Sequence, residues 1–208
     1  MAGEDDVEWW EHEDASAMAQ ELAGDLAFLT AQAIEGHGTA SLALPSDLRV
    51  EPVLEALAGE SLDWSKVTIV PTDTAEDEET SFRELFGSRG ATILALDPDL
   101  QLPLPLDIVW LSIDDAGTVA GIAIGPDMTT ALMTPRSIVE VRNDHGEPPR
   151  MSLTKAALLT GRAIVMTAFG EREKAVLQRA IVDGSGSRVP VGRLLAEAEQ
   201  AIDIHWCP

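Results

Sequence analysis

The segment LDIVWL, residues 106–111, most narrows the folds open to this chain. Leu106, Ile108, Val109, Trp110 and Leu111 form a nearly continuous apolar run without alternation, which suits a strand buried on both faces, as in a parallel sheet covered by helices. Open sheets of that kind bind ligands beyond the carboxyl ends of their strands. The following residues, SIDDAGTVAGIAIGP, therefore sit where chemistry is expected. Their turn offers Asp114, Asp115, Gly117 and Thr118, with no histidine, cysteine, lysine or arginine.

The rest of the chain alternates between strand-like and helix-like patterns. DASAMAQELAGDLAFLTAQAIE, residues 14–35, carries Met18, Leu22, Leu26, Leu29 and Ala33 at helical spacing, with Asp14 and Ser16 as candidate caps. SLAL (41–44) reads as a short buried strand, and VEPVLEALAG (50–59) as a helix closed by Gly59. DWSKVTIV (63–70) leads into a second strand, the later half of PTDTAEDEETSFRELF is helical, and ATILAL is a third, shorter strand. Repeated proline makes LDPDLQLPLPLD a loop.

Past the 106–111 strand come the apolar pieces VAGIAI and SIVEVR, then the loop RNDHGEPPR. SLTKAALLTG is a helix with Ser152 as candidate cap and Gly161 as its stop. RAIVMTAFG is a buried strand, EREKAVLQRAIVDG and VPVGRLLAEAEQ are helices, and AIDIHW is a terminal strand. This order predicts an α/β fold, a doubly wound, mostly parallel sheet with helices on both faces. Without an internal repeat or a long linker, residues 1–208 are expected to form one domain.

Charge limits the partners. The 36 acidic residues outnumber the 14 basic ones, giving a net charge of −22 that repels nucleic acid and anionic membranes. A phosphorylated metabolite needs local basic residues to overcome the same field. The apolar runs fall well short of the ~20 residues of a membrane span, and MAGEDDVEWWEHED is acidic where a secretory signal is basic. A cytoplasmic location is expected.

Several chemistries lose their usual support. The single cysteine, Cys207, allows neither an internal disulfide nor a cysteine metal site. No GxSxG, GxxxxGK[ST] or GxGxxG occurs. His12, His37, His145 and His205 fall in loops or near the ends, without metal-pair spacing. The acidic cluster Asp73, Glu76, Asp77, Glu78 and Glu79 lacks the glycine and spacing of a calcium loop and reads as a solvated helix start. Trp9, Trp10 and Trp64 read as core or edge anchors. No metal and no cofactor are expected.

The order of motifs resembles the 6-phosphogluconolactonase family, which shares a doubly wound sheet of the NagB/RpiA-like kind with glucosamine-6-phosphate deaminases. DWSKVTIV resembles the family's strand before its DERxV motif, and LDIVWLSIDDAGTVAGIAIGP resembles DLVLLGMGEDGHTASLFPG. EPPRMSLTKAALLTGRAIVMTAFGEREKAVLQRAI resembles the proline-rich loop, R[IM][ST]LT helix start, strand and G-x-x-K-A helix. VPVGRLLAEAEQAIDIHWCP resembles the final helix and strand. The resemblance spans roughly residues 10–208. It implies hydrolysis of 6-phosphogluconolactone to 6-phosphogluconate in the pentose phosphate pathway, and a sugar-phosphate ligand.

The departures fall on the chemistry. The family's glycine-rich SGGSTP phosphate loop aligns with PSDLRV (45–50), which has no glycine; Pro45 removes a donor, Asp47 adds a carboxylate and Arg49 adds a cation. The DER motif aligns with PTD (71–73). The histidine of GHTAS, which the resemblance implies activates water, aligns with Thr118, while Gly117 and Ala120 keep their places. Asp115 and Thr118 thus occupy the family's catalytic loop. Arg150 aligns with the arginine of R[IM][ST]LT and Lys174 with the lysine of G-x-x-K-A, so Arg150, Lys174 and Arg49 are the candidate phosphate-binding residues.

Three readings follow. The preferred one is a lactonase-family protein with hydrolysis weak or lost. A second is a lactonase with relocated groups, Asp114 or Asp115 serving as base. A third is a non-catalytic sugar-phosphate-binding or protein-interaction module, whose protein partner the sequence does not specify.

Overall fold

The computed structural model describes residues 7–74, 78–142 and 148–208. A seven-stranded sheet forms the centre, in the order β1 (Val7–Glu11), β9 (Ile202–Cys207), β8 (Ala163–Phe169), β5 (Ile108–Ser112), β2 (Ala40–Leu44), β3 (Val67–Pro71) and β4 (Thr92–Ile93). Every pairing within it is parallel. A separate antiparallel pair joins β6 (Ile138–Val141) to β7 (Arg150–Leu153). The architecture is the expected doubly wound α/β sheet.

The strand β5 shows why its sequence does not alternate. Ile108 and Trp110 enter one core with α1 (Ala15–His37), α2 (Glu51–Gly59) and α3 (Glu78–Leu85). Val109 and Leu111 enter a second core with α5 (Lys155–Leu158), α6 (Gly170–Asp183) and α7 (Pro190–Leu195). All four side chains are almost wholly buried. The one polar atom this places inside is matched, since the Trp110 indole donates to Thr167 Oγ1 at 3.3 Å.

Local signals set the helix that backs the first core. The Asp14 carboxylate accepts the backbone N–H groups of Ser16 and Ala17, each at 2.9 Å, so Asp14 caps α1 and Ser16 does not. Met18, Leu22, Leu26 and Thr30 form its buried stripe. Gly38 ends it at φ +92°, a left-handed conformation that favours glycine, with its N–H bonded to Ile34.

The structure departs from the expected elements where local patterns meet tertiary pairing. Residues 7–11, with acidic residues among their tryptophans, form the edge strand β1 because β9 supplies a parallel partner. ATILAL contributes only two strand residues, and VAGIAI forms isolated bridges rather than a strand. The helix expected from Ser152 begins at Lys155 and is capped by Thr154, because Arg150–Leu153 pairs with β6. Gly59 is the last residue of α2 and not a residue beyond it. The final helix covers only Pro190–Leu195. Among the described residues, no helix is long and apolar enough to cross a membrane.

Candidate functional site

The strand order reverses between β2 and β5: the chain runs outward from β2 through β3 to β4, then returns to place β5 on the other side of β2. At such a switch point the loops leaving the two neighbouring strands diverge and open a crevice. A cleft of about 270 Å³ lies there. Its walls come from the segments after β2 (Pro45 to Arg49), β3 (Thr72 and Asp73) and β5 (Ser112 to Gly121), together with Arg150 at the start of β7.

The loop after β5 is held by the side chain of its own Asp114. Asp114 Oδ1 accepts N–H bonds from Ala116 at 3.0 Å and from Thr118 at 2.8 Å. Gly117 sits at φ +76°, and a Cβ there would lie 2.7 Å from Val189 Cβ, so the position requires glycine on two counts. Ala120 also has positive φ, at 50°, and its carbonyl accepts the Ser152 hydroxyl. The residue expected to cap a helix instead fixes this turn.

Opposite that loop, Arg49 is bound by the protein itself. Its Nε donates to both oxygens of Asp47, at 3.1 and 2.8 Å, and its Nη2 donates to Asp47 and to the Ile113 carbonyl, the latter at 2.9 Å. Its Nη1 donates to Glu173, and its guanidinium carbon lies 5.3 Å from the centre of the Phe169 ring. Burial pushes the Asp47 carboxyl upward, but the Arg49 bonds outweigh it and leave the group below its ordinary value. Glu173 goes the other way: burial raises it despite bonds from the Phe169 N–H and Arg49.

The sequence candidates divide into two groups. Arg49, Thr118 and Arg150 line the cleft. Arg150 Nη1 lies 3.5 Å from Asp73 Oδ2, so this cation too faces a carboxylate. Asp115 is not among the lining residues; it is exposed, 3.9 Å from Arg172 at the surface. Lys174 is also outside, bonded to Glu11 at 2.5 Å and 3.7 Å from the centre of the Trp206 ring.

The displacement of Lys174 has a countable cause. Gly170 is followed by Glu173 at the third position and Lys174 at the fourth, one residue longer than G-x-x-K-A. Successive helix residues point about 100° apart, so the acid turns to Arg49 and the lysine to the sheet edge. Glu173 is the participant that sequence reasoning missed, and this spacing was the available signal.

The described histidines belong elsewhere. His12 Nε2 and His205 Nδ1 lie 3.0 Å apart in a buried pair at the β1–β9 edge. His37 reaches Asp107, whose other oxygen accepts the N–H and hydroxyl of Ser41 at the start of β2, on the opposite end of the sheet. His145 lies outside the described residues, as do Glu76 and Asp77 of the acidic cluster. Cys207 is buried in β9, and burial raises its thiol, the reverse of what a nucleophile needs. Among the described residues, no group of three or more histidine, cysteine, aspartate or glutamate side chains could hold a metal ion.

No family model matches the chain. A curated 6-phosphogluconolactonase of Rhizobium meliloti (strain 1021) is 28% identical to it, over 94% of this chain and 97% of that one. One of Pseudomonas putida is 26% identical, over 94% and 90%. Among solved structures, a 6-phosphogluconolactonase from Shewanella baltica OS155 superposes with a TM-score of 0.88 at 23% identity, covering 97% of this chain and 98% of that one. The Thermotoga maritima enzyme gives 0.79 at 16% identity, covering 97% and 100%.

Proposed function

Because the chain belongs to the 6-phosphogluconolactonase family, we propose that its cleft is a lactonase site that still receives a sugar-derived ligand but hydrolyses 6-phosphogluconolactone slowly or not at all. Opening the lactone requires a water to lose a proton as it attacks the ester carbonyl. A positioned base contributes about 10²–10⁴-fold to such a step. The observation that carries the reading is the state of the cleft's basic groups.

Thr118 stands where the family resemblance puts the histidine, and a hydroxyl is no base near neutral pH. The carboxylates of the cleft are already engaged. Asp114 folds the loop, Asp73 faces Arg150, and Asp47 is held by Arg49 below its ordinary value. The second reading, a lactonase with relocated groups, has Asp114 or Asp115 as base and Lys174 on the phosphate. Asp114 lines the cleft but its Oδ1 is spent on the loop's own N–H groups, while Asp115 and Lys174 do not line it. A binding role fits the same geometry, because the crevice and its turn are built while the base is missing.

The test is hydrolysis of freshly generated 6-phosphogluconolactone at neutral pH, with the spontaneous rate subtracted and Arg150→Ala alongside. We expect a rate about 10²-fold or more below that of a relative with the histidine. Rapid turnover that the Arg150 variant loses would overturn the proposal.

A further inference from the structure

Resting on the reading of the cleft as the ligand site, we propose that Glu173 makes it selective for an uncharged polyhydroxy ring over the same ring carrying a phosphate. Glu173 does so by closing the Arg49 guanidinium inside the protein's own carboxylates. A guanidinium has five N–H donors. Nε–H and one Nη2–H go to Asp47, the second Nη2–H to Ile113 O and one Nη1–H to Glu173, leaving a single donor for anything else.

The charge balance points the same way. Two carboxylates surround the one guanidinium of Arg49, Asp73 faces Arg150, and Asp114 adds a further carboxylate to the cleft wall. A phosphate ester entering here meets a negative surface on a chain whose net charge is −22. To gain more than that one donor it would have to break the Arg49–Glu173 bond, leaving Glu173, only 5% exposed, without its counter-charge and with the Phe169 N–H as its remaining partner.

A neutral sugar meets no such opposition. Its hydroxyls both donate and accept: the walls carry the Thr118 hydroxyl, and the Thr72 and Ser112 hydroxyls, whose protons go to Asp73 and Asp47, keep oxygens that can accept from a sugar. The 270 Å³ volume suits a single ring, since pockets for larger, drug-sized ligands begin near about 300 Å³.

The experiment titrates the full ¹⁵N-labelled chain with glucose, glucose 6-phosphate and inorganic phosphate at low ionic strength, following the amides of Thr118 and Gly121. Glucose is expected to shift these amides, with glucose 6-phosphate binding about tenfold or more weakly and inorganic phosphate leaving them in place. Glu173→Gln should free Arg49 and move the ratio about tenfold or more toward the phosphate ester. Asp47→Asn, which releases Arg49 from its more exposed side, carries the same expectation should the first variant not fold.

Glucose 6-phosphate binding the wild type as tightly as glucose would overturn the proposal. So would an unchanged ratio in both variants, or cleft amides that neither sugar perturbs. Because the readout is equilibrium binding, fast lactone hydrolysis would sink the proposed function and leave this ratio to stand or fall separately.

Discussion

The corner of the cleft around Arg49 and the β1–β9 edge around Lys174 begin from adjacent residues of α6, yet they handle charge differently. In the cleft, Glu173 is buried and Arg49 is pinned by two carboxylates, a backbone carbonyl and the Phe169 ring. At the edge, Lys174 packs against the Trp206 indole and pairs with an exposed Glu11. On the other face of that edge strand, His12 and His205 share one hydrogen bond beneath Trp10. The cleft compensates buried charge with opposite charge, whereas at the edge, where two imidazoles are buried, burial disfavours the charged form of His205. A cation suggested as an anion binder is thus occupied at each place.

The largest effect expected from breaking this comparison is on folding. Arg49→Ala strips the counter-charge from buried Glu173. Removing one partner of a fully buried pair costs about 3–5 kcal/mol. The Arg49 side chain retains 38% of its exposure, so we expect a smaller loss, about 2–3 kcal/mol, by urea denaturation at pH 7. Burial already raises Glu173, and without Arg49 it rises further, so the deficit should shrink as pH falls and the carboxylate takes a proton. A deficit independent of pH would mean that Arg49 acts through its contact with Phe169 and its bond to the Ile113 carbonyl, and not through the Glu173 charge.

The neutral histidine predicts the next effect. Burial, and then the neighbouring His12, depress His205 to about 4 from its ordinary 6.5. Between those values the unfolded chain binds a proton that the folded chain refuses, so stability rises with pH across the window and falls as the solution is acidified. With the slope rising toward about 1.4 kcal/mol per unit as the unfolded histidine becomes fully protonated, acidification from pH 6.5 to 5 should cost about 1.5 kcal/mol, before most carboxylates titrate. Urea midpoints across that range for the wild type and His205→Asn check it, the variant being expected to lose most of the slope.

The two regions also differ in how legible they were. The sheet could be read because burial on both faces leaves a mark on composition: Ile108 to Leu111 have no polar residue to show, and none is needed. The switch-point location of the cleft followed from that strand. Its electrostatics did not, because the partner of Arg49 lies 124 residues away on α6 and its identity turns on one extra residue after Gly170. Likewise, the strand Arg150–Leu153 was hidden because what makes it a strand is its pairing with Ile138–Val141, not its own pattern, and Thr154, not Ser152, proved to be the helix cap.

The smallest effect tests whether the two regions are separate. Lys174→Ala removes an ammonium 3.7 Å from the Trp206 ring centre and 6.0 Å from that of Trp9, along with a pairing to a carboxylate that is 59% exposed. The exposed ion pair contributes little, and the partly desolvated cation–π contact about 1 kcal/mol. A loss of about 1 kcal/mol with altered tryptophan emission is therefore expected, and Lys174→Arg should recover most of it. Sugar binding in the cleft should stay as in the wild type, because Lys174 leaves α6 in a different direction from Glu173. A Lys174→Ala variant that weakened cleft binding while keeping its urea midpoint would place the ammonium at the ligand and join the two regions into one site.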